Sequence, residues 1–197
     1  MPPLFLIRHG ESSWNTLGLA QGHNDQARLT RRGRRQAAAA AERFRGHPVR
    51  ALYSSDLRRA LETATAFSEV LGLPVLADAR LRERSLGVLE GTASAAISPA
   101  VIGLDDGRVA DPDIKPAGGE SVRDLYWRGA AFCDALATAV DDGAAGDVVV
   151  VAHGGTLRVL RAYLNGVPVE EMSWEPLENA RVLRIPDVAT RSRGVTR

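Results

Sequence analysis

The chain has 197 residues, of which 45% are hydrophobic and 25% charged, a balance typical of a single globular domain with a sizeable core. Its formal net charge of +1 gives no global field that would recruit nucleic acid or an anionic membrane. The single cysteine excludes an intramolecular disulfide and a cysteine-rich zinc site, and no apolar run or N-terminal signal layout indicates a membrane span or export, so we expect a cytoplasmic protein.

The first predicted element is a strand over residues 4–7, four consecutive apolar residues that indicate burial on both faces. It ends on Arg8, His9 and Gly10, and a Ser and Asn15 follow to cap a short helix. A charged pair delivered by a buried strand to a glycine turn is typical of ligand sites at the carboxyl edge of an open α/β sheet. A solvated loop without function is the alternative for this stretch taken alone.

A polar loop over residues 18–26 comes next, rich in Gly, Asn and Gln. Its Gln21 and Gly22 are suited to line a pocket, although a merely polar surface loop fits the composition equally well. We expect His23 to be exposed rather than catalytic. Thr30 then caps a helix that runs to about Arg45, and the arginines at its start favour a solvated face over a nucleic-acid stripe because no aromatic residues interleave them.

A second strand over residues 51–53 also ends on polar residues, Ser54-Ser55-Asp56. Ser55 or Asp56 is expected to cap the next helix, which extends to Leu71 and ends at a glycine. Arg58 and its neighbour fall in the first turn of that helix, where a cation is unfavourable unless an anion lies there.

A brief third strand over residues 75–76 leads to two carboxylates, Glu83 and Glu90, in a turn-rich connection. Either carboxylate is suited to acid–base chemistry, and the alternative is ordinary pairing with neighbouring arginines. Residues 91–121 are interpreted as a short insertion over the sheet edge, with one short helix and a mobile connection, rather than as a second domain.

The most strongly predicted strand covers residues 148–152, which are β-branched and apolar and therefore central in the sheet. It follows a helix over about 122–140 and ends on His153, Gly154 and Gly155, before a helix over 157–164. A last strand over 182–185 and a flexible tail over 187–197 complete a single predicted domain over residues 1–197.

Histidines, arginines and glycine-rich turns thus follow three predicted strands. If these strands are parallel neighbours, the residues lie together at one edge of the sheet. Guanidinium groups with helix N-terminal amides form a site for a small dianion, above all phosphate. A metal site is the rival for two histidines, but no carboxylate is arranged with them and nearby arginines repel a cation. A phosphate pocket with histidine fits either binding alone or covalent catalysis by a neutral imidazole.

The sequence resembles the histidine phosphatase superfamily, in its phosphoglycerate-mutase-like branch. The opening Arg-His-Gly stretch carries the signature, and the similarity continues in the family's order along the whole chain through Gln21-Gly22, Asp25, Leu29-Thr30, Ser54–Leu57 with Arg58 and Ala60, Thr63-Ala64, Leu81–Glu83, Gly87, Glu90-Gly91, Gly119–Ser121 and His153–Gly155. The resemblance implies a three-layer α/β/α sandwich with a mostly parallel central sheet, and no metal or organic cofactor.

The resemblance also implies residue roles. His9 matches the nucleophile that becomes phosphohistidine, and Glu83 matches the general acid that protonates the leaving oxygen. Side chains that match the groups holding the phosphoryl group are Arg8, Arg58 and His153, with Asn15, Gln21, Gly22 and Gly154 as further expected phosphate-binding residues. These roles agree with the needs of phosphoryl transfer, which depends on positioning and charge stabilisation.

Within the family we expect a cofactor-independent phosphomonoesterase that acts on a small phosphate ester, as a monomer or homodimer without nucleic-acid or membrane partners. Phosphoglycerate-mutase-type transfer is the alternative, but the stretch between Gly91 and Gly119 is short and contains only one arginine, Arg108, for a second phosphate. A non-catalytic phospho-ligand-binding module is the third possibility. It would require a lost nucleophile or acid, whereas His9, Glu83 and His153 all match.

Overall fold

The computed structural model describes residues 2–140 and 144–186. In chain order its strands are β1 (Leu4–Arg8), β2 (Val49–Ser54), β3 (Val75–Ala77), β4 (Leu104–Asp105), β5 (Arg108–Val109), β6 (Asp147–Ala152) and β7 (Val182–Ile185). Its α-helices are α1 (Ser13–Thr16), α2 (Arg31–Glu42), α3 (Arg58–Leu71), α4 (Val122–Ala139) and α5 (Gly154–Leu164). The predicted tail over residues 187–197 lies outside the described residues. Within the described part of the chain, no helix is both long and apolar enough to cross a membrane.

Five strands form the central sheet, in the order β3-β2-β6-β1-β7. The first four strands in this order are mutually parallel, and β7 runs antiparallel to β1 at the edge. β6 lies between β1 and β2, so the carboxyl ends of the three strands that carry the predicted site residues meet at one edge. The prediction of a mostly parallel sheet with this convergence is confirmed.

Successive side chains of each strand point to opposite sides of the sheet, and helices cover both of its faces. Leu4, Leu6 and Val150 pack on one face in a core cluster that also contains α4 and α5 residues. Ile7 and Val151 pack on the other face in a cluster that contains α2 and α3 residues. These two cores give the three-layer α/β/α sandwich that the family resemblance implies.

Helix ends follow the predicted capping signals at most positions. The Thr30 side chain accepts from the third residue of α2, and Gly72 ends α3 in the left-handed conformation, both as predicted. Ser121 forms a capping box at α4, which was not predicted. The expected cap of α3 by Ser55 or Asp56 is wrong. Its N-cap residue makes no side-chain capping bond, and the Asp25 carboxylate instead accepts from the Arg58 backbone N–H at 2.6 Å.

The insertion over residues 91–121 differs from its prediction. In place of one short helix it contains two 3-10 turns, Ser94–Ala96 and Pro99–Ile102, and the antiparallel hairpin β4–β5. The hairpin turn has positive φ at both Asp106 (37°) and Gly107 (70°), which fits the Asp-Gly preference of two-residue hairpin turns. The hairpin forms hydrogen bonds to residues 172–174, and these bonds hold the insertion at the carboxyl edge of the sheet.

Candidate active site

Two histidines meet where β1 and β6 end side by side. His9 follows β1, and His153 follows β6 as the N-cap residue of α5. Their ring centroids lie 5.2 Å apart, and both side chains are buried, with 3% and 0% exposure. The helix predicted to begin at residue 157 begins at Gly154 instead, so amides of its first turn lie next to the histidines.

His9 is held in one tautomer by its own backbone neighbour. Its Nδ1 lies 2.7 Å from the Gly10 carbonyl oxygen, and since a carbonyl only accepts, Nδ1 carries the proton and Nε2 keeps its lone pair. Burial lowers the pKa of His9 well below its usual value, and the positive charges of Arg59 and Arg8 lower it further. The imidazole is therefore neutral at pH 7, with a free nitrogen lone pair.

His153 is also a neutral imidazole. Burial, reinforced by the charge of Arg59 and the proximity of His9, lowers its pKa well below the usual value. Its Nε2 lies 2.8 Å from the Ser55 hydroxyl, whereas its buried Nδ1 finds no hydrogen-bond partner among the described residues. An unpartnered buried ring nitrogen is rare, because it carries the full cost of desolvation.

The arginine that joins this cluster from α3 is Arg59 and not Arg58, which corrects the sequence prediction. Arg58 is exposed on the outer face of α3, whereas Arg59 has 0% exposure. The helix phase decides between the two, because the first turn can direct only one of the neighbouring side chains inward. Arg59 donates to the carbonyls of Gly22 (2.8 Å) and Asn24 (2.9 Å), and so binds the polar loop to the cluster.

Arg8 and Arg59 share an unusual feature. Arg8 donates through Nη1 to the Leu177 carbonyl, yet its buried Nε has no partner among the described residues, and the same is true of the Arg59 Nε. Burial lowers the pKa of Arg59 to about 10, so it remains cationic at neutral pH. We call the Nε atoms of Arg8 and Arg59 and the Nδ1 of His153 the nitrogen cradle. Two guanidinium N–H groups without internal acceptors match a bound oxyanion, and the His153 Nδ1 adds a third donor in the tautomer in which its Nε2 accepts from the Ser55 hydroxyl.

Glu83 lies at the N-terminus of α5, next to the cradle. One carboxylate oxygen accepts from the Gly155 N–H (3.0 Å), and the other accepts from the amides of Arg84 (2.9 Å) and Thr156 (3.3 Å). Gly155 permits this approach, since a Cβ built on it would stand 2.4 Å from Glu83 Oε1. The negative charge of Glu83 raises the pKa of Arg8, Arg59 and Arg158, whereas burial lowers the pKa of each.

Glu90, the other candidate acid, is a structural residue. Its Oε1 accepts from the backbone N–H groups of His23 (2.8 Å) and Leu86 (3.0 Å), so it fixes the polar loop. Gly22 has φ of 47° and would place a Cβ 2.1 Å from that oxygen, and both facts require glycine there. His23 is half-buried rather than exposed, and its Nε2 donates to the Glu83 carbonyl at 2.7 Å.

The remaining predicted residues lie at or near the site. Asn15 and Gln21 line the cavity beside His9, and their side-chain oxygens lie 2.9 and 3.0 Å from the Ser12 hydroxyl oxygen, whose single proton is donated to one of them. Gly154 is buried and does not line the cavity, whereas its neighbour Gly155 does.

The cavity has a volume of about 240 Å³. Residues that were not predicted also line it, among them the charged Arg84 and Arg158 and the aromatic Trp174. Arg158 follows His153 by five positions, and helical periodicity from the glycine turn is the signal that was available for it. Trp174 lies far along the chain and gives no local signal. Among the described residues, no group of three His, Cys, Asp or Glu side chains is arranged as a metal-ligand set.

Arg84 is nearly fully buried, with 3% exposure, and its guanidinium donates to three carbonyls of the insertion region. The acceptors are Ile102 (2.7 Å), Ile114 (3.1 Å) and Glu120 (2.8 Å). Its side chain thus fastens the insertion next to Glu83 and is fully engaged by the protein itself.

Comparison with curated proteins finds relatives of two kinds. A glucosyl-3-phosphoglycerate phosphatase from Mycolicibacterium vanbaalenii is 41% identical over 176 residues, covering 85% of this chain and 76% of the relative. A phosphoglycerate mutase-like protein 4 from Arabidopsis thaliana is 40% identical over 163 residues, covering 80% and 68%. A probable phosphoglycerate mutase GpmB from Yersinia enterocolitica is 33% identical over 193 residues, covering 94% and 85%.

Solved structures agree with these relatives. The structure of a mycobacterial glucosyl-3-phosphoglycerate phosphatase in complex with VO3 is 35% identical and superposes with a TM-score of 0.82 over 93% of this chain and 90% of that one. A phosphoserine phosphatase variant from Entamoeba histolytica in complex with phosphoserine is 26% identical, with a TM-score of 0.75 over 93% and 90%.

The family model of the histidine phosphatase superfamily (branch 1) matches residues 4–191, nearly the whole chain. The match begins at the first residue of β1 and includes both histidines and the cradle. This chain belongs to the histidine phosphatase superfamily, branch 1.

Proposed function

We propose that this protein is a phosphomonoesterase that hydrolyses a small phosphorylated metabolite through a phosphohistidine on His9, without a metal ion. The observation that carries the proposal is the fixed tautomer of His9. Its Nδ1 proton is held by the Gly10 carbonyl at 2.7 Å, which leaves a neutral Nε2 as nucleophile. The phosphatase relatives in the same superfamily support hydrolysis as the reaction.

In the first step, His9 Nε2 attacks phosphorus, and the bond from phosphorus to the ester oxygen breaks. The nitrogen cradle binds the phosphoryl oxygens and neutralises their charge through Arg8, Arg59 and His153, as metal ions do in other phosphoryl-transfer sites. Glu83 acts as the general acid and gives a proton to the leaving oxygen as the ester bond breaks.

In the second step, water attacks phosphorus and the nitrogen–phosphorus bond breaks. The Glu83 carboxylate accepts the proton of that water, which restores its acid form, and free phosphate leaves. His9 returns to its starting tautomer, with its Nδ1–H still donating to the Gly10 carbonyl. The only changes to the substrate are the broken ester bond and the added water.

The experiment that tests this function is trapping of the intermediate. Brief incubation with a ³²P-labelled phosphomonoester followed by acid-free quenching should leave label on His9, in an alkali-stable and acid-labile bond. His9→Ala should fold with an unchanged circular dichroism spectrum and lose turnover almost completely. Label on another residue, or turnover retained by His9→Ala, would contradict the assignment. His47→Ala is the matched control, since His47 pairs with Asp147 (2.8 Å) at the amino end of β6, the opposite edge of the sheet.

A further inference from the structure

The part of the chain that carries the Glu83 carboxylate is irregular. Residues 83–86 belong to neither helix nor strand, so their backbone groups need partners from elsewhere in the protein. The carboxylate extends from here to the amides at the N-terminus of α5. We call residues 80–85 the acid segment. Whatever holds this segment also determines where the Glu83 carboxylate lies.

Arg128, on α4, binds the acid segment at three carbonyls. Its Nη1 donates to the carbonyls of Arg80 and Arg82, each at 2.8 Å. Its Nη2 donates to the Glu83 carbonyl at 3.0 Å. Because a guanidinium is planar and its N–H groups point in fixed directions, these bonds define the path of the main chain up to Glu83.

Glu120 holds the acid segment on the other side of Glu83. Its Oε2 accepts from the Ser85 N–H at 2.9 Å, and its own N–H donates to the Ser85 carbonyl at 2.9 Å. The same carboxylate accepts two bonds from Arg128, from Nε to Oε1 (2.9 Å) and from Nη2 to Oε2 (2.7 Å). Burial raises the pKa of Glu120, but the bonds and charge of Arg128, with the Ser85 N–H, bring that pKa below its usual value. Glu120 is therefore an anion at neutral pH, and the ion pair holds the main chain before and after Glu83.

The polar loop adds another contact at Glu83. His23 Nε2, which donates to the Glu83 carbonyl, also lies 3.7 Å from Oε2 of Glu120. Arg59 holds the same loop through its bonds to the carbonyls on either side of His23. The main chain at Glu83 is thus connected through this loop to an arginine of the nitrogen cradle.

Arg128 and Glu120 do not contact the space in which the substrate binds. The described residues that line the cavity include Glu83 but neither of these two. Their side chains are only 18% and 22% exposed, so the pair is better shielded from water than an ordinary surface ion pair, which contributes little. An effect of the pair on the reaction therefore passes through the position of Glu83.

A general acid must lie at a defined distance from the leaving oxygen. Proton transfer requires a separation of about 2.6–3.2 Å between the heavy atoms. A displacement of about 1 Å costs about 10²-fold in rate. Contacts that fix the main chain on both sides of the acid therefore bear directly on the chemical step.

We propose that the Arg128–Glu120 ion pair positions the general acid, by holding the acid segment so that the Glu83 carboxylate lies within proton-transfer distance of the leaving oxygen. This inference rests on the proposed phosphomonoesterase function and adds two positioning residues to its acid step. A purely structural role of the pair predicts a different result, because loss of folded protein lowers the activity on every substrate alike.

The test compares two substrates that differ in their need for a proton: glycerol 1-phosphate, an alkyl ester, and p-nitrophenyl phosphate. kcat/KM reports the steps up to the phosphohistidine, in which the alkoxide leaving group needs the acid and p-nitrophenolate hardly does. We expect Arg128→Gln to lower kcat/KM about 10- to 100-fold for glycerol 1-phosphate and by less than about twofold for p-nitrophenyl phosphate. Both values come from one preparation, so their ratio does not depend on the fraction of folded enzyme.

Combining this change with Glu83→Gln separates positioning from other effects. If Arg128 acts through Glu83, Arg128→Gln should lower the glycerol 1-phosphate activity by less than about twofold in the Glu83→Gln background, whereas independent effects would multiply. Arg123→Gln is the matched control. Arg123 lies on the same helix and also forms a two-bond ion pair, with Asp113 (2.7 and 3.1 Å), away from the acid segment.

Two further variants keep the test independent of how well Arg128→Gln folds. Arg128→Lys retains the charge but cannot bind three carbonyls and a carboxylate in the same geometry, so it should also lower the ratio of glycerol 1-phosphate to p-nitrophenyl phosphate activity. Glu120→Gln retains the size of the side chain and removes the charge that pairs with Arg128, and it should lower the same ratio. If Arg128→Gln does not fold, these two variants decide.

Each outcome bears on the proposal. A lower ratio in Arg128→Gln, absent from Arg123→Gln and from the Glu83→Gln background, supports it. Equal losses on both esters, or a full further loss in the double variant, overturn it and leave the phosphatase function intact. Equal losses in Glu83→Gln itself overturn it together with the acid step. A wild type that hydrolyses neither ester refutes the proposed function.

Discussion

Replacing Arg59 and Arg58 separately by glutamine tests which of the two arginines acts in the site. The two residues are adjacent and identical, but only Arg59 is buried, with its Nε in the nitrogen cradle. If that atom stabilises the phosphoryl group in the transition state, Arg59→Gln should lower kcat/KM by about 10²–10³-fold, the usual effect of losing one such donor. Arg58→Gln should stay within about twofold, because its side chain is exposed.

Stability should separate the two variants as well. Arg59 donates to the carbonyls of Gly22 and Asn24, and losing both bonds should lower the free energy of unfolding by about 2 kcal/mol. For a domain of this size, that corresponds to a fall of about 4–8 °C in Tm. An exposed arginine should change the free energy of unfolding by less than about 0.5 kcal/mol.

The pH profile gives a third readout, with a defined sign. The positive charge of Arg59 lowers the pKa of His9, so its removal should raise that pKa toward the usual histidine value. Because attack requires neutral His9, the acidic limb of kcat/KM should move to higher pH in Arg59→Gln and stay in place in Arg58→Gln. The assay is p-nitrophenyl phosphate hydrolysis from about pH 4 to 8. Greater loss in Arg58→Gln than in Arg59→Gln would refute the assignment.

Three further predictions concern the chemistry. Glu83→Gln should slow hydrolysis of alkyl phosphates by about 10²–10⁴-fold but affect p-nitrophenyl phosphate much less, because that leaving group hardly needs a proton; equal losses would exclude Glu83 as the acid. Activity should survive excess EDTA, since guanidinium groups supply the positive charge, and restoration only by a divalent ion would contradict this. Release of free phosphate should exceed interconversion of phosphoglycerates, because among described residues the insertion lines the cavity only with Ser94, Ile102 and Leu104; comparable mutase turnover would restore that alternative.

Most of the fold could be predicted because its strands are buried on both faces. The apolar run that ends β6 and the strand at residues 182–185 are set by local composition, and the caps at Thr30 and Ser121 by local hydrogen bonding. The hairpin was missed although its Asp106-Gly107 turn is a recognised signal, because its strands are only two residues long.

The site was partly predictable for a related reason. Residues directly after strands, such as His9 and His153, have positions fixed by the sheet topology. Composition alone does not distinguish Arg58 from the adjacent Arg59, whereas the phase of α3 does. Arg58 shares its helical face with Glu62, Thr65 and Glu69, whereas Arg59 lies above Thr63, and this phase already favours Arg59 for the inner position.

Other contacts depend on tertiary packing alone. The pairing of Arg158 with Trp174 and Glu175 joins a helix to a loop that the insertion holds, and no local pattern in the sequence encodes it. The cap of α3 by Asp25 joins two segments 33 positions apart in the same way. Such contacts require the folded backbone before they can be inferred.

The contacts of Arg84 restrict how the insertion can be exchanged for one from another protein. A grafted segment of different length must return three carbonyls, those now at Ile102, Ile114 and Glu120, to the same guanidinium. A graft that fails to do so leaves a buried cation without acceptors, at a cost of several kcal/mol. A design that changes the size of the cavity must therefore use an insertion whose backbone again places three carbonyls around the Arg84 guanidinium. The other route is to replace Arg84 by an apolar residue together with the graft, so that the new insertion buries that residue.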